Sequence, residues 1–573
     1  MSNSKRKEQG FIEGSIVLFI ATALVKVIGA IYKIPLNNIL GELGAGYYTT
    51  AYDLYLPMYS LAMAGLPVAI SRIVAECMAS GRYRDVEQTL RVTKRAFLIT
   101  GSVGFLLMCV VSYPFVYFTC ENDMNALIPV LCIAPCLLFC CIMSTYRGYY
   151  EGLRNMTPTA ISEVIEASGK LLFGLVLSYA VIKIRGDLTM TTLSLAAGAA
   201  LLGIVLGSAF GALFLVIKYK KTPRPFTDEE YALAPEPKSS KATLKILLSV
   251  AIPIVLGSLV TNVTSLIDVV MVRMQLASAI DKDPALMAAM YAELIAKNVE
   301  SDPNFTLANL PTALYGCHRS YAYSIYNLVP VLTAVLGVSA IPILATAWTK
   351  KDTVSVKVNM ETMIKTTALI AMPAGLGIFA LSEPILNLLY SSNPIAVAVA
   401  AKNLRILGIS AIFAGLTAPM TNMLQAIGKQ KIPLYNIAVG ALIKIIVNFV
   451  LVGMPEVNIV GVPIGTTLCY LYIAVANLVC LVKYSGVKLN VMSTLVKPLF
   501  ASALCGGSAA GVYLLGGNFI GSNKVLTVIS IAVAAVVYIL SVILFKILDK
   551  NDIFSMPKGE KLANILEKFG IIK

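Results

Sequence analysis

The sequence predicts an all-α protein that crosses a membrane about fourteen times. Of its 573 residues, 57% are hydrophobic and only 13% are charged, with a mean hydropathy of +0.79. About a quarter of the residues of a soluble protein are charged, so most of this chain belongs in lipid. Apolar runs of roughly 20 residues, enough to cross a bilayer, repeat from end to end. Short breaks such as GELGAG and SSNP separate them.

The predicted spans follow one another along the whole chain. We place them at residues 14–36, 47–75, 92–118, 126–146, 157–183, 190–217, 245–275, 320–347, 362–389, 398–425, 432–452, 459–482, 493–515 and 524–547. They predict five segments: an N-lobe of six spans (1–218), a charged, Pro-rich cytoplasmic linker (219–244), a C-lobe of six spans (245–484), two further spans (485–548) and a cytoplasmic tail (549–573).

The two lobes carry similar stretches, GLRNMTPTAISEVIEASGKLLFG at 152–174 and GKQKIPLYNIAVGALIKIIVNF at 428–449. Each begins with a glycine, continues through a basic turn and a proline, and reaches a lysine in mid-span, Lys170 or Lys444. Six spans separate them, so the repeat is parallel and relates the lobes by a pseudo-two-fold axis along the membrane normal.

The tail has an apolar helical face, which predicts a helix lying on the inner leaflet. That face consists of Leu562, Ile565, Leu566, Phe569 and Ile572.

Basic residues set the predicted orientation. Lys and Arg concentrate in both tails and in the even-numbered loops, whereas the other loops hold few, even in the long 276–319 segment. Because basic residues resist translocation, both termini are expected in the cytoplasm. This asymmetry accounts for most of the +15 net charge, so a nucleic-acid partner is not needed.

Composition argues against an enzyme, a metal site or a cofactor. The single histidine, His318, nearly excludes a histidine-ligated metal or a Ser-His-Asp triad. The cysteines at 132, 136 and 140 share one helix face with no acid or histidine, which favours helix packing. A membrane glycosyltransferase or phosphatase would need an acidic metal-binding motif or a histidine near a membrane surface. The nearest match to such a motif is DKD at 281–283, which lies in a predicted external loop.

Charged residues inside the spans are the candidate site. Lys26 and Lys33 lie two helical turns apart in ATALVKVIGAIYKIPL, so both point from one face. Charges in lipid are costly and need a partner or a wet cavity. One interpretation is structural pairing, for example Lys26 with Asp53. The other is an aqueous cavity between the lobes, which the surplus of deep cations favours. The complete candidate set is Lys26, Lys33, Asp53, Lys170, Asp268, Arg273 and Lys444. Such a cavity predicts an anionic ligand, most commonly a phosphate.

Several stretches also resemble a known family. RGYYEGLRNMTPTAISEVIE at 147–166 closely resembles the stage V sporulation protein B branch of the polysaccharide-biosynthesis membrane proteins, and VKVIGAIYKIPL and GLPVAISRIVAE agree with it. This branch is similar to the MurJ-type lipid II flippases of the multidrug/oligosaccharidyl-lipid/polysaccharide exporter superfamily.

The resemblance implies a flippase that moves an undecaprenyl-pyrophosphate-linked saccharide, lipid II above all, to the outer leaflet by alternating access. It implies that Lys26 and Lys33 hold the head group and that spans thirteen and fourteen form a groove for the lipid tail. Expected partners are this substrate, membrane lipids and cell-wall synthesis proteins, and the expected state is a monomer.

Two departures and several alternatives remain. The family's lipid II flippases favour arginine at positions 26 and 33, and lysine lacks the arginine fork, so the substrate could differ. Span eleven offers Lys444 and no acid, which argues against sodium coupling. The alternatives are a flippase for a teichoic, capsular or spore-specific saccharide, and a multidrug antiporter, whose cavity should hold acids instead of cations.

Overall fold

The computed structural model describes residues 11–63, 66–120, 123–517 and 519–547, and within these ranges it contains helices and no strand. The predicted all-α class is therefore confirmed. Eleven helices of this part of the chain are long and apolar enough to cross a membrane. The predicted spans 14–36 and 47–75 lie on either side of a break at Gly41 within the segment Phe11–Met63, and the second span also includes most of the helix Leu66–Ala79. The span at 245–275 lies in a helix of 43 residues, whereas that at 320–347 covers the end of a π-helical turn, a helix of four residues and most of a helix of 22 residues.

The first compact unit comprises residues 1–277 and 290–316. Its helices are α1 (Phe11–Met63), α2 (Leu66–Ala79), α3 (Tyr83–Thr119), α4 (Leu127–Ile133), α5 (Cys136–Gly152), α6 (Thr157–Arg185), α7 (Met190–Lys221), α8 (Asp228–Leu233), most of α9 (Ser240–Lys282), α11 (Ala292–Ser301) and α12 (Leu310–Gly316). Nearly all of α10 (Pro284–Met290), which precedes α11 in the chain, belongs to the second unit. Short 3₁₀ turns cover Met124–Ala126 and Leu307–Asn309.

The second compact unit comprises residues 278–289 and 317–573. It contains two π-helical turns, Cys317–Ala322 and Met492–Val496, and a 3₁₀ turn at Asn458–Val460. Its helices are α13 (Tyr323–Tyr326), α14 (Leu328–Thr349), α15 (Thr353–Ala380), α16 (Ser382–Leu389), α17 (Pro394–Ala426), α18 (Lys431–Val452), α19 (Gly461–Ser485), α20 (Lys497–Gly516) and α21 (Asn523–Leu544).

The boundary between the two units differs from the one expected in the 219–244 linker. It falls at residue 277, so nearly all of α9, the predicted first span of the C-lobe, belongs to the first unit. The linker is also anchored to that unit. Arg84 Nε donates to the Tyr231 carbonyl at 3.1 Å, and the Lys238 amide donates to Asp85 Oδ1 at 2.7 Å. The linker therefore packs on the start of α3.

Helix α1 breaks at Gly41, which has φ 64° and ψ −168°. This backbone conformation is open to glycine and strained for other residues, so the glycine ends one helical segment and starts the next. The two predicted spans in α1 thus lie on either side of one residue. The earlier segment carries Lys26 and Lys33, and the later one carries Asp53.

Residues 290–316, which we call the strap, close the first unit. Lys297 Nζ lies 2.8 Å from Glu42 Oε2, and the Glu42 side chain is only 2% exposed. Asp302 Oδ2 accepts from the amide of Met190, the first residue of α7, at 3.0 Å. A buried carboxylate needs such a partner. The strap is therefore bonded to both α1 and α7.

Helices α6 and α7 cross through glycines, which lets their backbones approach closely. A Cβ atom on Gly207 would lie 2.5 Å from the Glu166 carbonyl oxygen, and one on Gly169 would lie 2.5 Å from the Gly207 Cα. Farther along, Gly203 of α7 meets the backbone of Gly174. This crossing fixes the stretch of α6 that carries Lys170.

Helices α20 and α21 are connected to the rest of the second unit through α15. Tyr538 of α21 donates to the Leu369 carbonyl at 2.7 Å, and a Cβ on Gly506 of α20 would lie 3.2 Å from the Leu376 carbonyl oxygen. Their role as a lipid-tail groove stays a prediction. The predicted amphipathic tail at 549–573 lies outside the described residues.

Candidate anion-binding site

Lys170 of α6 lies against aromatic rings of α1. Its Nζ is 5.0 Å from the centre of the Tyr32 ring and 5.3 Å from that of Tyr52. Tyr32 is fully buried and donates to the Ala200 carbonyl of α7, and Tyr48 stacks on Tyr52 with 5.9 Å between ring centres. The negative faces of such rings attract a cation without neutralising it. Lys170 is therefore held at its mid-span position by two aromatic faces.

The nearest acids of α6 have other partners. Glu166 Oε2 accepts from Arg147 Nη2 at 3.0 Å, and Glu166 Oε1 accepts from the Ser208 hydroxyl at 3.3 Å. Glu163 accepts from the Thr22 hydroxyl of α1 at 3.5 Å. Glu166 is thus engaged mainly by Arg147.

The line of contact between α1 and α6, which we call the α1–α6 seam, brings two of the predicted cations together. Thr22 and Lys26 interact with Glu163 at one point, and Tyr32 meets Lys170 about two turns farther along both helices. Lys26 is exposed, and Lys33 and Lys170 are partly exposed. The seam therefore carries lysine side chains that are not fully buried.

Arg273 and Asp53, also predicted as cavity residues, form a separate buried cluster. Arg273 is 1% exposed and donates through Nη2 to the Thr50 hydroxyl at 2.6 Å, and through Nη1 to Cys120 Sγ at 3.0 Å. Its guanidinium lies 4.5 Å from the Tyr315 ring centre, and the Tyr315 hydroxyl donates to Asp53 Oδ2 at 2.8 Å. This geometry favours a role in holding α1, α9 and α12 together.

The second unit has its own cationic cluster around Lys444. His318, in the π-helical turn, is 3% exposed, and the cations that act on it electrostatically are Arg319 and Lys444. The Arg319 guanidinium lies 4.4 Å from the centre of the Tyr323 ring. The His318 Nδ1 is buried without a hydrogen-bond partner in the described part of the chain. π-Helical turns occur frequently at functional sites.

Sequence analysis missed His318 and Arg319 as site residues, although the pair directly before an apolar run was a usable signal. Lys170 and Lys444, in contrast, lie equally far from Thr157 and Lys431, the first residues of their helices. One lysine therefore lies at the same position along its helix in each unit, as the expected repeat predicts. Asp268 lies in α9, and its side chain is outside the described part of the structure.

The arrangement can bind an anion by charge and hydrogen bonding. Ammonium groups bind phosphate as point charges. Within the described ranges, the structure groups no three His, Cys, Asp or Glu side chains in a way that could hold a metal ion.

The fold and these buried charges define a multi-pass membrane protein. Its structure is similar to that of the lipid II flippase MurJ in an inward closed conformation, with a TM-score of 0.64, 15% identity and coverage of 92% of this chain and 98% of that one. It also resembles an inward-facing MATE family multidrug transporter, with a TM-score of 0.58, 16% identity and coverage of 81% and 98%. The chain belongs to the polysaccharide biosynthesis protein family, whose pattern it matches over residues 11–348.

Curated relatives span nearly the whole chain. Stage V sporulation protein B of Bacillus subtilis (strain 168) is 24% identical over 562 residues, which cover 96% of this chain and 98% of the relative. Lipid II flippase MurJ of the same organism is 23% identical over 552 residues, covering 92% and 94%. Residues 319–450 also match the MatE family.

Proposed function

We propose that this protein is a flippase that moves an undecaprenyl-pyrophosphate-linked saccharide from the inner to the outer leaflet of a bacterial plasma membrane. The observation that carries the proposal is Lys170, a mid-span cation held by tyrosine faces on the same seam as Lys26. The nearby Glu166 is occupied by Arg147. Charge inside a bilayer is expensive, so it is retained where an anion must be bound.

The pyrophosphate is the part of the substrate that this site would recognise. Two phosphate groups offer several oxygens for ammonium groups at separate points along the α1–α6 seam. The resemblance assigns this contact to Lys26 and Lys33, and the structure suggests Lys170 as a third member. Transport then needs no covalent step, only exposure of the seam to one side and then the other.

Lipid II is our preferred substrate, and a teichoic, capsular or spore-specific lipid-linked saccharide is the main alternative. A relative named as a lipid II flippase and one named for sporulation are almost equally similar to this chain, at 23% and 24% identity. A multidrug antiporter shares the fold, but the lysines of the seam favour an anionic ligand over a cationic drug.

Depletion of the protein tests the proposal and separates these substrates. Lipid-linked precursors are extracted from depleted cells and identified by mass spectrometry, with their leaflet assigned by an impermeant modifying enzyme. We expect one undecaprenyl-pyrophosphate saccharide to accumulate on the inner leaflet, and expression of the intact gene to reverse it. An unchanged precursor pool in both leaflets would exclude the flippase.

A further inference from the structure

The end of α19 carries a groove that the transport cycle proposed above does not use. It has a volume of about 630 Å³, within the range of about 300–1,000 Å³ that is usual for small-molecule sites. Its wall is apolar and consists of Leu478, Val479, Val482, Leu489 and Val491, and two lysines, Lys483 and Lys488, complete the lining.

The groove is built into the fold. Gly486, with φ 68°, ends α19 and turns the chain back on the helix. Val487 is 7% exposed and belongs to the same core cluster as Leu481. The Asn490 amide donates to Glu361 Oε1 of α15 at 2.7 Å, which fixes the returning segment and also engages the nearby acid.

Aromatic and basic residues around the groove indicate the level of a membrane surface. Lys429 Nζ lies 5.0 Å, and Lys483 Nζ 5.7 Å, from the ring centre of Tyr484. Trp348 packs against the core cluster to which the groove residues Leu478 and Leu489 also contribute. Tyr and Trp collect where hydrocarbon meets head groups, and clustered lysines there attract anionic lipids.

We propose that this groove binds an anionic phospholipid. One acyl chain lies along the apolar wall, and the phosphate lies between Lys483 and Lys488. The apolar wall explains why the ligand is a lipid, and the two lysines explain why it is anionic. The groove is formed by residues of the second unit and the α1–α6 seam by residues of the first, and the proposed occupant of the groove is a resident lipid, not the transported substrate.

The single tryptophan of the chain, Trp348, provides the test. Purified full-length protein is reconstituted with brominated phosphatidylglycerol or brominated phosphatidylcholine, and quenching of Trp348 fluorescence reports lipid nearby. We expect phosphatidylglycerol to be favoured by about fivefold or more, because each lysine near an anionic surface contributes roughly that factor. Lys483→Ala with Lys488→Ala should abolish the preference.

Lys350→Ala with Lys351→Ala is the matched control. It removes the same charge from exposed residues even nearer to Trp348 in sequence, and it should keep the preference. Equal quenching by both lipids in the unaltered protein would overturn the proposal. An equal loss in both double variants would also overturn it, since the attraction would then be diffuse. Unchanged melting temperatures of both variants show that folding is preserved, and precursor accumulation in depleted cells is a separate readout for the transport function.

Discussion

The Lys170 ammonium lies 5.0 Å from the centre of the Tyr32 ring, so helix α1 supports the mid-span cation of helix α6 through an aromatic face. This relationship joins the two helices that carry most of the predicted site. It also makes the site testable, because ring and hydroxyl can be removed separately.

Replacing the second ring of this contact should weaken substrate binding. Tyr52→Leu removes the aromatic face 5.3 Å from Lys170 Nζ, whereas Tyr52→Phe keeps it. Since a desolvated cation–π contact is worth about 2 kcal/mol, we expect roughly a tenfold or greater loss of affinity for the leucine variant. A smaller loss is expected for phenylalanine. Titration of purified protein with undecaprenyl pyrophosphate measures both.

Tyr179→Leu, on the exposed face of α6, is the control for the Tyr52 variants and should bind normally. Equal affinity of Tyr52→Leu and the unaltered protein would show that the rings only pack the core.

Lys26 should be required for its charge. Lys26→Ala is expected to abolish complementation of a null strain while the protein remains in the membrane, and Lys26→Arg should retain part of the activity. The physical reason is that the seam binds phosphate by charge, and arginine keeps the charge but changes its geometry. Full complementation by Lys26→Met would show that this lysine has no role in binding.

Arg273 should matter for stability. Arg273→Met leaves the Thr50 hydroxyl and the Tyr315 ring without a buried cationic partner. Charged hydrogen bonds contribute about 1.5–3 kcal/mol each, so a loss of a few kcal/mol in the free energy of unfolding is expected. Thermal unfolding in detergent measures it. Arg185→Ala, an exposed residue on α6, should unfold like the unaltered protein, and equal melting of all three proteins would contradict the structural role.

The predicted topology places the linker inside the cell and the strap outside it, because basic residues concentrate on the inner side. Glu229→Cys and Glu300→Cys introduce thiols at exposed positions of these two segments. An impermeant maleimide should label position 300 in intact cells and position 229 only after lysis. The unaltered protein is the control, since all eleven native thiols are buried or partly buried. The reverse labelling pattern would refute the topology.

The membrane potential should drive transport. Each negative charge moved outward gains about 2.3 kcal/mol per 100 mV, and the return of an empty cationic cavity is favoured by the same field. In proteoliposomes, valinomycin at matched potassium should therefore stop flipping, and replacing sodium with choline should change little. Transport that survives loss of the potential but needs sodium would contradict this expectation.

Sequence analysis could predict the helices because hydropathy is a local property. The long apolar runs gave the all-α class and located Lys170 and Lys444 in mid-span. The environments of these charges were not predictable, since they depend on distant segments. Arg273 was grouped with the cavity cations, yet its partners Thr50, Cys120 and Tyr315 come from three other parts of the chain. The π-helical turn at Cys317–Ala322 could not be predicted from the sequence either, because its residues are nearly all buried against other segments.

The meeting of α1 and the strap constrains how this sequence can diverge. A Cβ on Gly46 would collide with the Thr312 carbonyl, and one on Gly316 would collide with the Glu42 carbonyl. Backbone therefore presses on backbone at two places, and neither neighbour is a side chain that could rotate away. A second substitution to a smaller side chain on the facing segment cannot compensate for an alanine at either glycine, because the nearest facing atoms belong to the backbone. Any single substitution of Gly46 or Gly316 is therefore expected to be destabilising, although the two glycines lie far apart in the sequence.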